Sequence, residues 1–178
     1  AFNSFWAIPG ESENGLIGEW RKAPGQALLQ TLQDDLGYLP LIAEDLGIIT
    51  EDVTALREHF NLPGMKILQF AFGGDDDNPY LPSNHEENGV IYTGTHDNDT
   101  TMGWFNALDE DTEKHALEVL DAEASDMPWA MIECALSSPA RLSVIPMQDI
   151  LELDTSARFN TPGTLDDNNW SWRLYEIP

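Results

Sequence analysis

Two pairs of neighbouring residues in this 178-residue chain, each with at least one carboxylate, have the residue types and the setting of catalytic groups. Glu44-Asp45 follows a short apolar run typical of a buried strand, and His96-Asp97 comes a few residues after another. Carboxylates at strand ends can serve as general acid, nucleophile or electrostatic stabiliser, and cleavage of a glycosidic bond needs such a set. The alternative is that they cap helices or lie in solvated turns, as acidic residues at strand-to-helix junctions often do.

The elements that must position these pairs alternate between strand and helix. Apolar runs predict four strands, near residues 41–44, 65–72, 90–94 and 142–147. Helical spacing and capping signals predict helices over 28–36 with a stop at Gly37, after Thr50, and over 100–108, 112–123 and 128–137. The remaining stretches, 1–25 and 148–178, are predicted to be mostly loop. This alternation predicts a parallel sheet with strands adjacent in sequence order. The carboxyl ends of its strands should form one rim that carries both residue pairs.

Charge and composition narrow the classes of partner. The chain has 32 Asp and Glu against 8 Lys and Arg, a formal net charge of −24. Nucleic-acid binders and proteins of anionic membrane surfaces need a basic face, so both classes are excluded and acidic substrates are disfavoured. The sequence holds no apolar run long enough to cross a membrane, and we expect a cytoplasmic location.

The sequence lacks the usual signatures of cofactor and metal binding. It has no glycine-rich nucleotide-binding motif, no Gly-x-Ser-x-Gly and no His-Glu-x-x-His. The acidic runs from Asp75 and Asp97 fail as calcium loops, because Tyr80 and Met102 occupy the position that requires glycine. Cys134 is the only cysteine, so neither an internal disulfide nor a cysteine-based metal site is possible. We therefore expect no cofactor and no bound metal.

Aromatic side chains, several of them in predicted loops, form a second signal. Sugar rings have apolar faces that stack on aromatic rings, while amides and carboxylates bind the hydroxyls. The set comprises Trp6, Trp20, Phe70, Phe72, Tyr80, Trp104, Trp170 and Trp172. Packing in the core is the alternative for each, and it is favoured for Phe70 and for Trp129. Together with the acidic charge, these aromatics fit a neutral, polyhydroxylated ligand.

Six stretches of the chain carry a resemblance to a known family. They are Phe5-Trp6-Ala7-Ile8-Pro9, Ile42-Ala43-Glu44-Asp45-Leu46-Gly47, Leu62-Pro63-Gly64-Met65-Lys66 with Gln69-Phe70-Ala71-Phe72, Tyr92-Thr93-Gly94-Thr95-His96-Asp97-Asn98-Asp99-Thr100, Pro146-Met147-Gln148-Asp149 and Arg158-Phe159-Asn160-Thr161-Pro162-Gly163-Thr164. In this order and spacing they resemble the 4-α-glucanotransferase family, also called amylomaltase or disproportionating enzyme. The resemblance covers nearly the whole chain.

The resemblance implies a retaining glycosyltransferase built on a (β/α)8 barrel of the TIM type. It aligns Glu44 with the acid/base, Asp97 with the carboxylate that stabilises the transition state, and His96 with its supporting neighbour. It implies sugar contacts for Trp6, Phe70, Asp75, Asn98, Arg158, Asn160 and Pro162, with Arg158 and Asn160 reaching the cleft from the tail. The chain departs from the family at Gly73-Gly74, where many relatives carry an acidic pair.

The resemblance further implies that residues 1–178 are part of such a barrel. The family's nucleophilic aspartate lies in an Arg-x-Asp-His-Phe motif ahead of the segment seen here at 2–6, so we expect it outside this chain. The four predicted strands would then be barrel strands five to eight, in keeping with a length below the roughly 250 residues of a complete barrel. The expected activity is transfer of α-1,4-glucan segments, maltooligosaccharides, to the 4-hydroxyl of an acceptor glucose or glucan. This piece alone is expected to be inactive.

Two other functions stay open at this point. The chain could be a non-catalytic glucan-binding piece, since the nucleophile is missing. It could also belong to a metal-dependent hydrolase that uses Asp97, Asp99 and His96, although that ligand set is incomplete. Sensitivity to a chelator would separate the hydrolase from the transferase.

Overall fold

The structure is a computed structural model that describes residues 2–176, and its contacts divide the chain into two compact units. The first unit is Ala1–Gly64 and the second is Met65–Pro178. Glu44-Asp45 lies in the first unit and His96-Asp97 lies in the second. The two units are therefore described separately.

The first unit opens with an antiparallel hairpin where the sequence predicted a packed loop. Strand β1 is Ser4–Ala7 and strand β2 is Glu19–Lys22, with Trp6 directly opposite Trp20. The two indole rings meet edge to face at 5.5 Å, an arrangement that stabilises a cross-strand pair. The connection, residues 8–18, is too long to carry a tight-turn signature, and this is why the hairpin escaped prediction.

Two helices and a small core complete the first unit. Helix α1 is Gly25–Leu36 and stops at Gly37, whose φ of 75° is a backbone state that favours glycine, as the sequence predicted. Helix α2 is Glu51–His59, and it begins after Thr50 as predicted, although the Thr50 side chain makes no capping hydrogen bond. The buried core comprises Leu29, Leu39, Phe60 and Leu62.

The strand predicted near 41–44 was wrong, because this segment is irregular in the structure. A hydrogen bond from Ala43 N to the Pro63 carbonyl oxygen, at 2.8 Å, joins this segment to the residues ahead of the next strand. Leu41 and Ile42 are 40% and 46% exposed. The prediction took the apolar run as a fully buried strand, and the exposure of these two side chains removes that premise.

The second unit contains a three-stranded sheet in the predicted sequence order. Strands β3, Gly64–Ile67, β4, Gly89–Tyr92, and β5, Leu142–Val144, are adjacent in that order, and β4 and β5 are parallel. The predicted strand over 65–72 is cut short because a 3-10 helix, Leu68–Phe70, follows Ile67. Leu68 and Ile91 are completely buried in the core of this unit.

The helices of the second unit follow the prediction with adjusted ends. They are α3, Thr101–Asn106, α4, Glu110–Leu120, and α5, Trp129–Ser137. Their starts are capped by side chains where the sequence offers them, since Thr100 Oγ1 accepts from Gly103 N at 3.0 Å and Asp109 Oδ1 accepts from Thr112 N at 3.0 Å. The tail, predicted as mostly loop, contains a short helix α6, Met147–Ile150, and a 3-10 turn, Thr155–Ala157.

Across residues 2–176, no helix combines the length and the apolar character needed to span a bilayer.

Candidate active site

The segment 93–100, here called the Asp97 loop, joins β4 to α3 and is stiffened by its own side chains. Asn98 Oδ1 accepts from Thr95 N at 2.9 Å and from Thr95 Oγ1 at 2.8 Å. The Asp97 amide donates to Thr95 Oγ1 at 3.3 Å. These bonds close a turn of the kind that Asn and Thr side chains support, and they leave Asp97 exposed at its apex.

The tail residues 158–170, here called the tail clasp, hold Asp97 from outside the loop. Asn160 Nδ2 donates to Asp97 Oδ1 at 2.6 Å, and Arg158 Nη2 donates to the Asp97 carbonyl oxygen at 2.8 Å. Arg158 Nε also donates to the Asn160 carbonyl oxygen at 2.9 Å. Arg158 and Asn160 thus meet Asp97 from the tail, where the resemblance implied that they would approach. Arg158 reaches backbone carbonyls rather than the carboxylate.

The carboxylate of Asp97 keeps one oxygen unengaged by the described part of the chain. Its Oδ1 accepts from Asn160 and lies 3.5 Å from His96 Nε2. Within residues 2–176, no side chain bonds to Oδ2. One oxygen is therefore fixed by the protein while the other can meet a ligand.

His96 is held by an aromatic residue that the sequence reasoning did not place in the site. Its ring centroid lies 5.2 Å from that of Trp170, with the planes at 38°. Trp170 is itself fixed, because its amide donates to the Phe159 carbonyl oxygen at 2.7 Å and its ring meets Phe159 edge to face. Trp170 had been noted among the candidate sugar-stacking aromatics, and its place in the tail was the available signal.

A pocket of about 170 Å³ borders the Asp97 loop. It is lined by Thr95, His96, Asn98, Asp99, Thr100, Pro146, Gln148, Asp149, Arg158 and Phe159. Three predicted site residues therefore share this wall with Asp149, a residue the sequence reasoning assigned no role.

Glu44 and Asp45 have opposite surroundings despite being neighbours. Glu44 is exposed, and among residues 2–176 its side chain has no hydrogen-bond or ion-pair partner. Asp45 is nearly buried and lies 3.4 Å from Arg57 Nε in an ion pair whose side chains are 11% and 13% exposed. A Cβ placed on Gly64 would come within 2.3 Å of Asp45 Oδ2, so only glycine admits this carboxylate. The ion pair between Asp45 and Arg57 therefore fixes the segment that carries Glu44.

The other predicted sugar contacts lie at surfaces. Trp6 is 38% exposed and donates from Nε1 to the Gly15 carbonyl oxygen at 2.9 Å. Phe70, with its ring edge against Tyr80 at 5.5 Å, is 45% exposed. Asp75 and Pro162 are exposed in loops.

The core-packing interpretation of Phe70 and Trp129 was wrong. Both side chains are 45% exposed, and Trp129 Nε1 donates to Glu152 Oε1 at 2.7 Å. Both residues are therefore partly open to solvent. Phe70 stays available for the stacking that the resemblance implied.

Asp99 is used by the protein itself rather than held ready for a metal. Its Oδ1 accepts from Thr100 N at 2.8 Å and its Oδ2 accepts from Thr155 Oγ1 at 2.9 Å. In the described chain, no three His, Cys, Asp or Glu side chains converge on one point. The metal-dependent hydrolase alternative thus finds no ligand set in this part of the chain.

Comparison with known proteins gives one consistent family. The model of the family described as 4-alpha-glucanotransferase matches residues 1–177. The chloroplastic/amyloplastic 4-alpha-glucanotransferase DPE1 of Arabidopsis thaliana is 49% identical over 97% of this chain and 30% of its own length. The 4-alpha-glucanotransferase of Thermus thermophilus is 45% identical over 97% of this chain and 36% of its own length.

Solved structures agree with the sequence relatives. The amylomaltase from Streptococcus agalactiae, solved in complex with acarbose, superposes with a TM-score of 0.92 at 33% identity, over 97% of this chain and 35% of that one. The amylomaltase from Corynebacterium glutamicum, at 17% identity and a TM-score of 0.72, shows the same fold. The chain thus has the α/β fold of amylomaltases and spans about a third of the length of the relatives it matches.

Proposed function

The chain belongs to the 4-α-glucanotransferase family, and on that premise we propose that the whole protein transfers segments of α-1,4-glucan between sugars with retention at the anomeric carbon. The donor is a maltooligosaccharide and the acceptor is the 4-hydroxyl of glucose or of another glucan. The observation that carries the proposal is the Asp97 carboxylate, held at 2.6 Å by Asn160 within the motifs that carry the resemblance. No nucleic acid, membrane, metal or cofactor takes part in this proposal.

We propose that residues 1–178 form the second half of a (β/α)8 barrel. On this assignment β3, β4 and β5 are barrel strands six, seven and eight, and the irregular segment 41–44 takes the place of strand five. The sequential order of the three strands and the parallel pairing of β4 with β5 support it. The 178 residues contain no Arg-x-Asp-His-Phe motif, so the nucleophilic aspartate comes from outside them.

Glu44 is assigned the acid/base role. It protonates the oxygen of the leaving sugar while the nucleophile attacks the anomeric carbon, and a covalent glycosyl-enzyme forms. It then takes the proton from the acceptor hydroxyl as that oxygen attacks the same carbon. An exposed carboxyl group with no side-chain partner among the described residues suits this role, because it must both give and receive a proton.

Asp97 is assigned the role of a fixed negative charge beside the developing oxocarbenium ion. Such a group works best when it is oriented before the reaction, since no reorganisation is then needed as charge develops. Asn160 fixes Oδ1, and Oδ2 remains for a sugar hydroxyl whose hydrogen bond strengthens in the transition state. His96, stacked on Trp170, supports this carboxylate at 3.5 Å.

The sugar contacts are assigned from the surfaces described above. Trp6 and Phe70 offer partly exposed rings for stacking on sugar faces. Asn98 Oδ1 accepts from Thr95, and Arg158 Nε and Nη2 each donate one hydrogen bond to the protein. Asn98 Nδ2, Arg158 Nη1 and the second N–H of Arg158 Nη2 are the donors left for hydroxyls. Asp75, Asn160 and Pro162 complete the set. The loop around Asn160 and Pro162 would help to keep water from the intermediate, which favours transfer over hydrolysis.

Incubation with maltotriose tests the proposal. The whole protein should release glucose and build a ladder of longer α-1,4 oligomers, and a chelator should leave the ladder unchanged. The 178-residue chain alone should give no ladder, because it lacks the nucleophile. Release of maltose and glucose without longer products would replace the transferase with a hydrolase. Binding of maltotriose without any turnover by the whole protein would favour the glucan-binding alternative.

The cytoplasmic location expected from the sequence stays a prediction. The plant relatives are named as chloroplastic/amyloplastic enzymes. Fractionation of the native source, with the ladder assay as the marker, would decide between the two locations.

A further inference from the structure

A buried carboxylate that takes no part in the proposed chemistry lies against the Asp97 loop. Asp149, in α6, is 1% exposed. Its Oδ2 accepts from Thr93 Oγ1 at 2.5 Å and from Thr101 Oγ1 at 2.8 Å, and its Oδ1 accepts from Thr101 N at 2.7 Å. Both of its oxygens are therefore engaged by protein donors.

The two threonines mark the two ends of the Asp97 loop. Thr93 directly follows the last residue of β4, and Thr101 is the first residue of α3. Both are completely buried. One side chain from a third element thus fixes the point where the loop leaves the sheet and the point where it enters the helix. The position of Asp97 between these points depends on both.

Stability alone gives a poor reason for a charge at this place. Removing a carboxylate from water costs several kcal/mol, and an apolar residue of similar volume often serves stability as well. Asp149 forms no ion pair with a Lys, Arg or His of residues 2–176. Hydrogen bonds to a charged acceptor are short and directional, so what this carboxylate supplies is geometry.

A second set of contacts restrains the same loop from the tail. The Asp99 carboxylate accepts from Thr155 Oγ1 at 2.9 Å, and the Asp99 carbonyl oxygen accepts from Gln69 Nε2 at 2.9 Å. A Cβ on Gly103 would lie 2.3 Å from Thr155 Oγ1, so this approach requires glycine in α3. The chain that carries Asp149 continues through Thr155 into the tail clasp that binds Asp97. The loop is therefore held at both ends by Asp149 and near its apex by the residues that follow.

We propose that Asp149 is a positioning residue, whose buried charge sets the orientation of the Asp97 carboxylate by holding Thr93 and Thr101. The inference rests on the proposed role of Asp97 as the fixed charge at the transition state. Asp149 itself touches no substrate. Its loss acts on the rate of the chemical step and leaves the binding of the sugar chain in place.

The test compares Asp149→Asn with Asp109→Asn in the whole protein. Asparagine keeps the size of the side chain and removes the charge. Asp109 is a matched control, because it also accepts from a threonine amide and a threonine hydroxyl but is exposed at the start of α4. We expect the kcat for maltotriose to fall about 10²-fold in Asp149→Asn, the cost of a small misplacement, with KM changed by less than about threefold. We expect Asp109→Asn to keep the parent kcat. Parent-like kcat in a folded Asp149→Asn protein would overturn the inference.

The double variant with Asp97→Asn separates positioning from general damage. Residues that act as a unit give non-additive losses, so the double variant should be no slower than Asp97→Asn alone. Losses that multiply would overturn the inference and leave the role of Asp97 intact. Parent-like turnover in Asp97→Asn would instead refute the proposed role of Asp97, whatever Asp149→Asn does.

If Asp149→Asn does not fold, two substitutions of Thr93 test the same inference. Thr93→Val keeps the shape and removes the hydroxyl that donates to Asp149 Oδ2, whereas Thr93→Ser keeps the hydroxyl. We expect kcat to fall in the valine variant and to recover in the serine variant at unchanged KM. Equal kcat in both variants would overturn the inference.

Discussion

Each of the two pairs, Glu44-Asp45 and His96-Asp97, supplies one carboxylate with a proposed catalytic role, and the two pairs are held in different ways. In the first pair the protein holds the second residue, since Asp45 is nearly buried against Arg57 while Glu44 is exposed. In the second pair the proposed catalytic residue is itself held, because Asn160 and Arg158 bind the carboxylate and the carbonyl of Asp97. The difference fits the two proposed roles, since a proton carrier needs unengaged oxygens and a stabilising charge needs a fixed direction.

The largest expected effect comes from removing the proton carrier. Glu44→Gln in the whole protein should lower kcat on maltotriose by about 10²–10⁴-fold, the usual contribution of general acid–base catalysis, while maltotriose binding persists. Initial rates and titration calorimetry measure the two quantities. Glu51→Gln, an exposed glutamate in the first turn of α2, is the control and should keep the parent rate. If Glu44→Gln keeps near-parent turnover, the first pair has no catalytic member.

A smaller loss should follow from releasing the fixed charge without removing it. Asn160→Ala deletes the donor to Asp97 Oδ1 and should lower kcat about tenfold, as expected for the loss of a hydrogen bond to a charged group. Asn168→Ala is the control, because that exposed residue forms its hydrogen bonds within residues 2–176 through its backbone and not through its side chain. Equal rates in the two variants would show that the second pair needs no external hold.

Breaking the anchor of the first pair should affect stability. Asp45→Asn weakens a mostly buried ion pair and should destabilise the local structure by about 1–3 kcal/mol. Hydrogen exchange of α2, which carries Arg57, measures this loss. The control is Asp52→Asn, whose partner Lys22 lies in an exposed pair and whose exchange should stay at the parent rate. Unchanged hydrogen exchange in Asp45→Asn would show that the ion pair with Arg57 does not fix the segment that carries Glu44.

The smallest expected effect is on the pH dependence of folding stability, and it comes from a residue outside both pairs. Buried His85 lies between Ser138 Oγ and the Tyr80 carbonyl oxygen, each 3.0 Å from a ring nitrogen, and burial lowers its pKa. The unfolded chain therefore binds the proton more readily, so stability is full above pH ~6.5 and falls as the pH drops towards the lowered pKa of the fold. Thermal unfolding of the parent and of His85→Gln at pH 7.5 and 5.5 should show a smaller acid loss in the variant. An identical loss in both would assign the acid sensitivity elsewhere.

Local signals in the sequence predicted most of the helices. The leucine spacing ahead of Gly37 placed α1, and Thr50 marked the start of α2, because both depend on neighbouring residues alone. The strand at 41–44 failed for a reason that is not local, since the exposure of Leu41 and Ile42 depends on tertiary packing and not on neighbouring residues. The hairpin of β1 and β2 was missed for the same kind of reason, because its strands are joined by a long connection.

Some residues of the candidate site were predicted from the sequence and others were not. The resemblance directed attention to Asp97, Arg158 and Asn160, and the structure brings these three together. Asp149 lies in one of the stretches that carry the resemblance, but no role was predicted for it, because an aspartate is usually exposed and nothing local indicates its burial. Its partners Thr93 and Thr101 lie at the two ends of the Asp97 loop, and the sequence alone does not show that their hydroxyls meet at one carboxylate.

The hydrogen bond from Asn160 to Asp97 affects the order in which parts of the site fold. The two residues are 63 positions apart, and Asp99 and Thr155 are 56 apart, so both contacts close long stretches of chain. Long-range contacts of this kind form slowly and after local helices, because loop closure must precede the contact. During synthesis the Asp97 loop leaves the ribosome dozens of residues before the segment that fixes it. Recovery of turnover by the whole protein after refolding should therefore lag behind recovery of helical signal, because Asp97 is held only once Asn160 has reached it.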